Sequence, residues 1–496
     1  MNFQAYTLTN HPEWACIHAR APNSENRVPI HLCCVIDVSG SMEDENKLSN
    51  VKSSLHFLLD FLGPQDRISI ITFTDVARTI VKQISITALE KENIRTRLTL
   101  IQPDSNTNMS AGLIEASGSL LNNTTEYKQG ILLLTDGIAN AGLTLVTQFV
   151  DLVRGILNMS SGTSISCVGY GTDHNAGLLQ QISSVGGGSY YVVNNLENVA
   201  VVFGDVIGGL VSCFAQQVRV LLPIGTKIKT RYSTSTNNDG IEVMIGDLVS
   251  GGEGVILARL GVGNTVTLNA YDLTLHSAIQ LETHVTLQTG GTLETDGEAH
   301  YLRFEVLQLL EESRRIIQER QSTQVVSAHI GRINNMIAHI TLYSQTHPHS
   351  LWETLLEELN NCKHSMENRN NHTHETVQIL SQHGAYLGLM RGLAATATLS
   401  AEDIATPVSA TLSRGFSNAV QRNISSQLHS IISPARRTAA VTTLEDDPYD
   451  ANDILTEVAM NPELPIPSTQ LRRQTAAPLS PKLNIASQVT DMLDLD

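Results

Sequence analysis

Between residues 30 and 210, short unbroken apolar runs alternate with segments whose apolar residues recur every three or four positions. The runs are Leu32–Ile36, Ile68–Phe73, Ile131–Leu134, Ser164–Tyr170 and Tyr190–Val193, and each predicts a buried parallel strand. Leu48, Val51, Leu55, Leu58 and Leu62 form one stripe of an amphipathic helix that Gly63-Pro64 ends. Further helices are predicted near Glu90–Leu100, after Thr107, and near Leu145–Leu157, Ala176–Ser184 and Leu196–Leu210. This alternation predicts a doubly wound, Rossmann-like α/β domain over 30–212, with helices on both faces of its sheet.

The pattern then changes. Gln217–Leu222, Thr226–Tyr232, Ile241–Ile245, Val255–Leu260, Thr265–Tyr271 and Ala278–Leu287 are short and often alternating, and clusters of Gly, Asn, Asp and Ser separate them. They predict an antiparallel β-sandwich over 213–297. Trp14–Ala19, within segment 1–29, is one more strand candidate and is expected to pack on that sandwich, which would make the α/β domain an insertion. Over 298–395 the stripes Leu302, Val306, Leu309 and Ile316, then Ile330, Ile333, Ile337 and Ile340, then Leu351, Leu355 and Leu359 predict an α-helical region. From Thr396 the pattern is lost. The segment 396–496 holds more than half of the chain's 15 prolines and little apolar surface, so it reads as a mostly disordered tail. DILTEVAM and the final DMLDL could fold on a partner, and Ser433-Pro434 and Ser480-Pro481 are candidate phosphorylation sites.

Candidate chemistry sits at two strand ends. Asp37, Ser39 and Ser41 lie in HLCCVIDVSGSM, Thr107 in SNTNMSAGL and Asp136 in GILLLTDG. All five are short oxygen-bearing side chains, hard ligands suited to Mg²⁺, Mn²⁺ or Ca²⁺. Asp37 and Asp136 follow apolar strands, where ligands bind in open α/β sheets. The competing reading is a strand-to-helix turn in which Asp37 and Ser39 only cap the next helix.

At these residues the chain resembles the von Willebrand factor A (vWA) family. The likeness is to its metal-ion-dependent adhesion site, which is Asp-x-Ser-x-Ser, then a Thr, then an Asp after a later strand. One departure is Asn106, where the family usually carries a small Gly. The resemblance implies that Ser39, Ser41 and Thr107 hold the ion directly or through one water, that Asp37 and Asp136 act mostly through water, and that a partner's carboxylate completes the shell. The order of domains is similar to inter-alpha-trypsin-inhibitor heavy chains and to cytoplasmic vWA proteins with a Hint-associated helical module. No RING and no self-splicing signature is visible, so those activities do not carry over.

A net charge of −17 and a pI near 5.4 argue against nucleic acid as the main partner. MNFQAYTLTNHPEW has no basic segment before an apolar core and no Gly at position 2, so neither secretion nor myristoylation is expected. Val199–Ala215 is too short and too interrupted to span a membrane. A cytoplasmic protein is expected. The six cysteines form no C-x-x-C pair, which removes support for zinc ribbons and thioredoxin-like chemistry. Histidines crowd 339–383, and His372-x-His374 could be half of a zinc site, although NRNNHTHE reads as a polar loop.

Three functions follow from these residues. The first is a non-enzymatic, metal-dependent, adhesion-type scaffold that binds an acidic side chain of a partner protein. The second is a client-recruiting subunit of a ubiquitin-ligase or ATPase complex. The third, a metal-dependent hydrolase, is disfavoured because no general base, nucleophile pair, second metal site or phosphate-binding loop accompanies the five oxygens. Nothing in the pattern indicates an oligomeric state.

Overall fold

The computed structural model describes residues 1–367 except 105, 122–125, 172–173, 194–195 and 288–291, together with isolated positions between 376 and 387 and residues 418–432. Strands β1 (Asn2–Thr7) and β2 (Ala15–Arg20) come first. An α/β unit follows, made of β3 (Ile30–Asp37), a 3₁₀ turn (Gly40–Asn46), α1 (Lys47–Phe61), β4 (Arg67–Phe73), β5 (Ala77–Ser85), α2 (Ala88–Thr99), α3 (Met109–Ser117), β6 (Lys128–Thr135), α4 (Val146–Met159), β7 (Ser164–Tyr170), α5 (Ala176–Val185), β8 (Gly187–Val193) and α6 (Leu196–Val211). Its sheet order is β5-β4-β3-β6-β7-β8, parallel except for β5.

Burial on both faces explains the unbroken apolar runs. Leu32, Cys34 and Ile36 of β3 pack with Leu55 and Leu58 of α1 and Phe203 of α6. Cys33 and Val35 pack on the opposite face with Leu113 of α3 and Phe149 of α4. After β3 the chain moves to β4 on one side, and β6 then pairs on the other side of β3. The crevice beyond the ends of β3 and β6 is therefore the topological switch point of the sheet.

The second unit contains β9 (Cys213–Leu222), β10 (Lys227–Lys229), β11 (Ser233–Asn237), β12 (Gly240–Val249), β13 (Glu253–Arg259), β14 (Thr265–Asp272) and β15 (Ser277–His284). They form two antiparallel sheets, β1-β2-β13-β10 and β11-β12-β9-β14-β15. Ile17, Ala19 and Ile256 of the first meet Val218, Val220, Ile245 and Val266 of the second. β2 pairs with β1 on one side and β13 on the other, so strands from before and after the α/β unit share one sheet. The outer face of that sheet, with Cys16, Val255 and Leu257, packs on Leu302, Val306 and Leu310 of α7 (Thr292–Gln318). Helices α8 (Thr323–Ser344) and α9 (Leu351–Glu367) complete this helical layer.

Four elements depart from the sequence reading, one of them β11, a mostly exposed polar run without apolar alternation. β5 is an edge strand whose irregular burial and register shifts carry no period of two. β1 is partly exposed and mixes polar and apolar residues. Within the stretch read as a tail, Ala419–Ile432 forms helix α10. It lies on the α/β unit, with Val420 and Ile424 against the core that contains α6. Gln421 Nε2 donates to the Asp205 carbonyl at 3.1 Å and to Asp205 Oδ1 at 2.9 Å, and Asn418 Nδ2 donates to Ser212 Oγ at 2.8 Å. The other tail features named above, including DILTEVAM, DMLDL and both Ser-Pro pairs, lie outside the described residues, as do His372 and His374.

The crossing of α6 and α10 depends on Gly208, where a Cβ would lie 2.5 Å from Gln421 Cα. Backbone cannot yield as a flexible side chain does, so Gly208→Val should push α10 off. Hydrogen exchange should speed up across 419–432 and stay slow in β3. Unchanged protection of 419–432 would show that the contact does not hold the helix.

Candidate metal centre

The five oxygen-bearing residues converge at the switch point. Asp37 ends β3, Ser39 and Ser41 sit on the turn into the 3₁₀ segment, Thr107 lies on the loop before α3, and Asp136 follows β6. Ser39 takes the N-cap position of the 3₁₀ turn with φ −62° and ψ 164°, but its side chain makes no capping bond. It instead faces Ser41, with the two Oγ atoms 3.2 Å apart. Ser41 Oγ donates to Asp136 Oδ1 at 2.8 Å. Asp37, Ser39, Thr107 and Asp136 are buried, while Ser41 is exposed at the mouth.

The loops that carry these groups are pinned by backbone bonds. Asp104 N–H donates to the Val38 carbonyl at 2.7 Å, and Asn108 N–H to the Thr74 carbonyl at 2.8 Å. Thr107 N–H donates to Asn140 Oδ1 at 2.9 Å, and its carbonyl accepts from the Asn140 N–H at 3.1 Å. Asn106, at the departure from the family pattern, donates to Asp75 Oδ1 at 2.8 Å and so points away from the five. Gly137 keeps the centre open, because a Cβ there would lie 3.1 Å from Thr107 Oγ1 and 3.7 Å from Asp37 Oδ2.

Two buried carboxylates share this crevice. Asp37 accepts from Ser39 N–H at 2.9 Å and from Thr135 Oγ1 at 2.5 Å. Burial, with the Asp136 charge adding to it, still pushes the Asp37 carboxyl up to about 6. Asp136 Oδ2 takes an ion pair from Lys47 Nζ at 2.8 Å. Among the described residues no ion pair reaches Asp37. The donor set, the open centre and the anion at Asp37 together fit a hard divalent cation. Lys47 and Thr135 were not singled out from the sequence. Thr135 was legible as the neighbour of Asp136, whereas a lysine in the first turn of a surface helix carries no such signal.

The fold and these oxygens define an open α/β domain with five oxygen-bearing side chains gathered at its switch point. Residues 31–204 match the von Willebrand factor type A domain model, so the chain carries a vWA domain over this segment. It is similar to the uncharacterized protein YfbK of Escherichia coli, 27% identical over 52% of this chain and 44% of that protein. It is also similar to the uncharacterized protein sll0103 of Synechocystis, 24% identical over 49% of this chain and 60% of that one. Inter-alpha-trypsin inhibitor heavy chain H4 of Bos taurus is 30% identical over 35% of this chain and 19% of its own length. The match therefore spans about half the length of the first two relatives and a fifth of the third. Among solved structures, a von Willebrand factor type A protein from Catenulispora acidiphila superposes with a TM-score of 0.52 at 16% identity, covering 66% of this chain and 82% of its own. The ArnB paralog VWA2 from Sulfolobus acidocaldarius gives 0.52 at 15%, covering 79% and 99%. These two likenesses are of fold.

The Thr135 hydroxyl stabilises a carboxylate that burial disfavours. Thr135→Val should cost about 1–3 kcal/mol in urea unfolding of the metal-free protein, the usual penalty for stripping a donor from a buried charged group. An unshifted midpoint would show that Asp37 does not rely on this bond.

Proposed function

We propose that the chain is a non-enzymatic scaffold that binds a protein partner through a divalent ion, Mg²⁺ or Mn²⁺, held by Asp37, Ser39, Ser41, Thr107 and Asp136. The observation that carries this reading is the convergence of five hard oxygens from three loops at the switch point of a vWA domain. vWA domains mediate protein interactions, commonly hold a divalent metal at this position and are generally not enzymes. An ion held largely by neutral hydroxyls keeps most of its charge for an incoming carboxylate of the partner. The chain supplies the rest of the selectivity. Its net charge of −17 repels an acidic partner wherever no cation intervenes, so recognition is confined to one point. The hydrogen-bond partners of the five residues are Ser, Thr, Asn, Asp and Lys side chains and backbone.

All six cysteines are buried free thiols, which supports a cytoplasmic setting. Among the described residues no helix is long and apolar enough to cross a membrane.

Calorimetry on the full chain should find one Mg²⁺ or Mn²⁺ per vWA domain, lost in Asp37→Ala with circular dichroism unchanged. Capture of partners from lysate should fall in excess EDTA. Equal capture with and without EDTA refutes the metal-dependent reading. Lys47→Met should tighten the ion several-fold, because it removes a positive charge 2.8 Å from Asp136 Oδ2. Weaker binding in Lys47→Met would mean that the lysine instead orients Asp136 for the ion.

A further inference from the structure

A second cluster of ligand-type side chains lies about the junction of the β1-β2-β13-β10 sheet and α7, apart from the vWA crevice. His18 of β2 and Val255 of β13 are register partners, so Glu253, two residues before Val255, shares the sheet face of His18. That face looks onto α7, where Asp296 and His300 are one turn apart. One ligand atom from each of His18, Glu253 and His300 falls within 4.8 Å of the others. His18 Nε2 is 2.9 Å from Glu253 Oε2, and its Nδ1 is 3.4 Å from Asp296 Oδ2.

His300 is the informative member. It is fully buried, and neither ring nitrogen makes a hydrogen bond. Its Nε2 points toward the cluster, 3.7 Å from Asp296 Oδ1. A buried imidazole without partners is costly unless a ligand completes it. His349 Nε2 lies 3.3 Å from Asp296 Oδ1 and Tyr6 Oη donates to Asp296 Oδ2 at 2.7 Å, which orients the carboxylate from behind. One side opens to a cavity of about 670 Å³ lined by His18, Arg20, Glu294, Asp296 and His349 among others.

We propose that His18, Glu253 and His300 bind one zinc-class divalent ion that ties β2, β13 and α7 together, with Asp296 holding His18 from the other edge of its ring. Imidazole with carboxylate favours zinc over magnesium, the reverse of the all-oxygen vWA set. Tetrahedral zinc keeps its ligand atoms roughly 3.4 Å apart, so side-chain movements of about 1 Å suffice to close the cluster on an ion.

The test uses the full chain carrying Asp37→Ala, which silences the vWA crevice, stripped with EDTA and titrated with Co²⁺ as a spectroscopic stand-in for zinc. One equivalent should bind with d–d absorption bands and be displaced by Zn²⁺. His18→Gln and His300→Gln should each weaken Co²⁺ at least tenfold with near-ultraviolet circular dichroism unchanged. No binding in Asp37→Ala, or binding undiminished in both histidine variants, overturns the site. Should a histidine variant misfold, X-ray absorption at the zinc edge of the Asp37→Ala protein decides. Imidazole in the shell supports the proposal, and an all-oxygen shell refutes it.

Discussion

Everything in this molecule is arranged about a neck. The β-sandwich is complete only when β2, from one end of the inserted vWA domain, lies beside β13, from the other. The insertion must therefore return the chain close to where it left. It does so through a hydrogen bond of 2.9 Å from Val28 N–H to the Val211 carbonyl, with Val28, Cys213 and Leu273 packed beside it. A bidentate Arg27–Asp66 pair fixes the strand just beyond, with Asp66 also accepting from Ile30 N–H at 3.1 Å. Lys128 adds a buried link, its Nζ 2.7 Å from Asp247 Oδ2 on β12. Helix α10 seals the same neck, since Asn418 reaches both Ser212 and the Ser250 carbonyl. The orientation of the vWA crevice relative to the sandwich is thus set by polar contacts that only the closed neck can make.

The crevice itself trades stability for readiness. Two buried carboxylates next to one lysine leave a net anion, which the fold tolerates because Ser39 N–H and the Thr135 hydroxyl are already aimed at Asp37. Those donors come from the backbone turn after β3 and from the last residue of β6, so they are as rigid as the sheet. Ser41, the member nearest to solvent, is held less rigidly, by side-chain bonds to Ser39 and Asp136.

Legibility in the sequence follows burial. β3, β4, β6 and β7 are covered on both faces, and their unbroken apolar runs are easily read. β5 is an edge strand with a positive φ at Gln83, and its pattern is broken where the register shifts. α10 has apolar residues at Val420, Ile424 and Leu428, a helical spacing, but proline-rich flanks hide it when composition is averaged over the whole tail. The five oxygens were legible because their motif is mostly local. Lys47 was not, since its meaning depends on Asp136, 89 residues away.

The second cluster was illegible for the same reason, taken further. His18, Glu253, Asp296 and His300 come from three segments and no short window contains more than two of them. The histidine-rich stretch drew notice to composition, yet its described members scatter. His339 is exposed on α8, His347 stacks on Tyr343, and His383 pairs with Glu358. Only His349 reaches the cluster, through Asp296. Crowding along a chain is thus a poor guide to crowding in space, whereas a single histidine inside a buried strand, as at His18 in ACIHAR, demands a partner. The two clusters also differ in donor type, all oxygen in the crevice and imidazole with carboxylate at α7. By donor chemistry alone the first set suits hard cations and the second suits zinc-class ions.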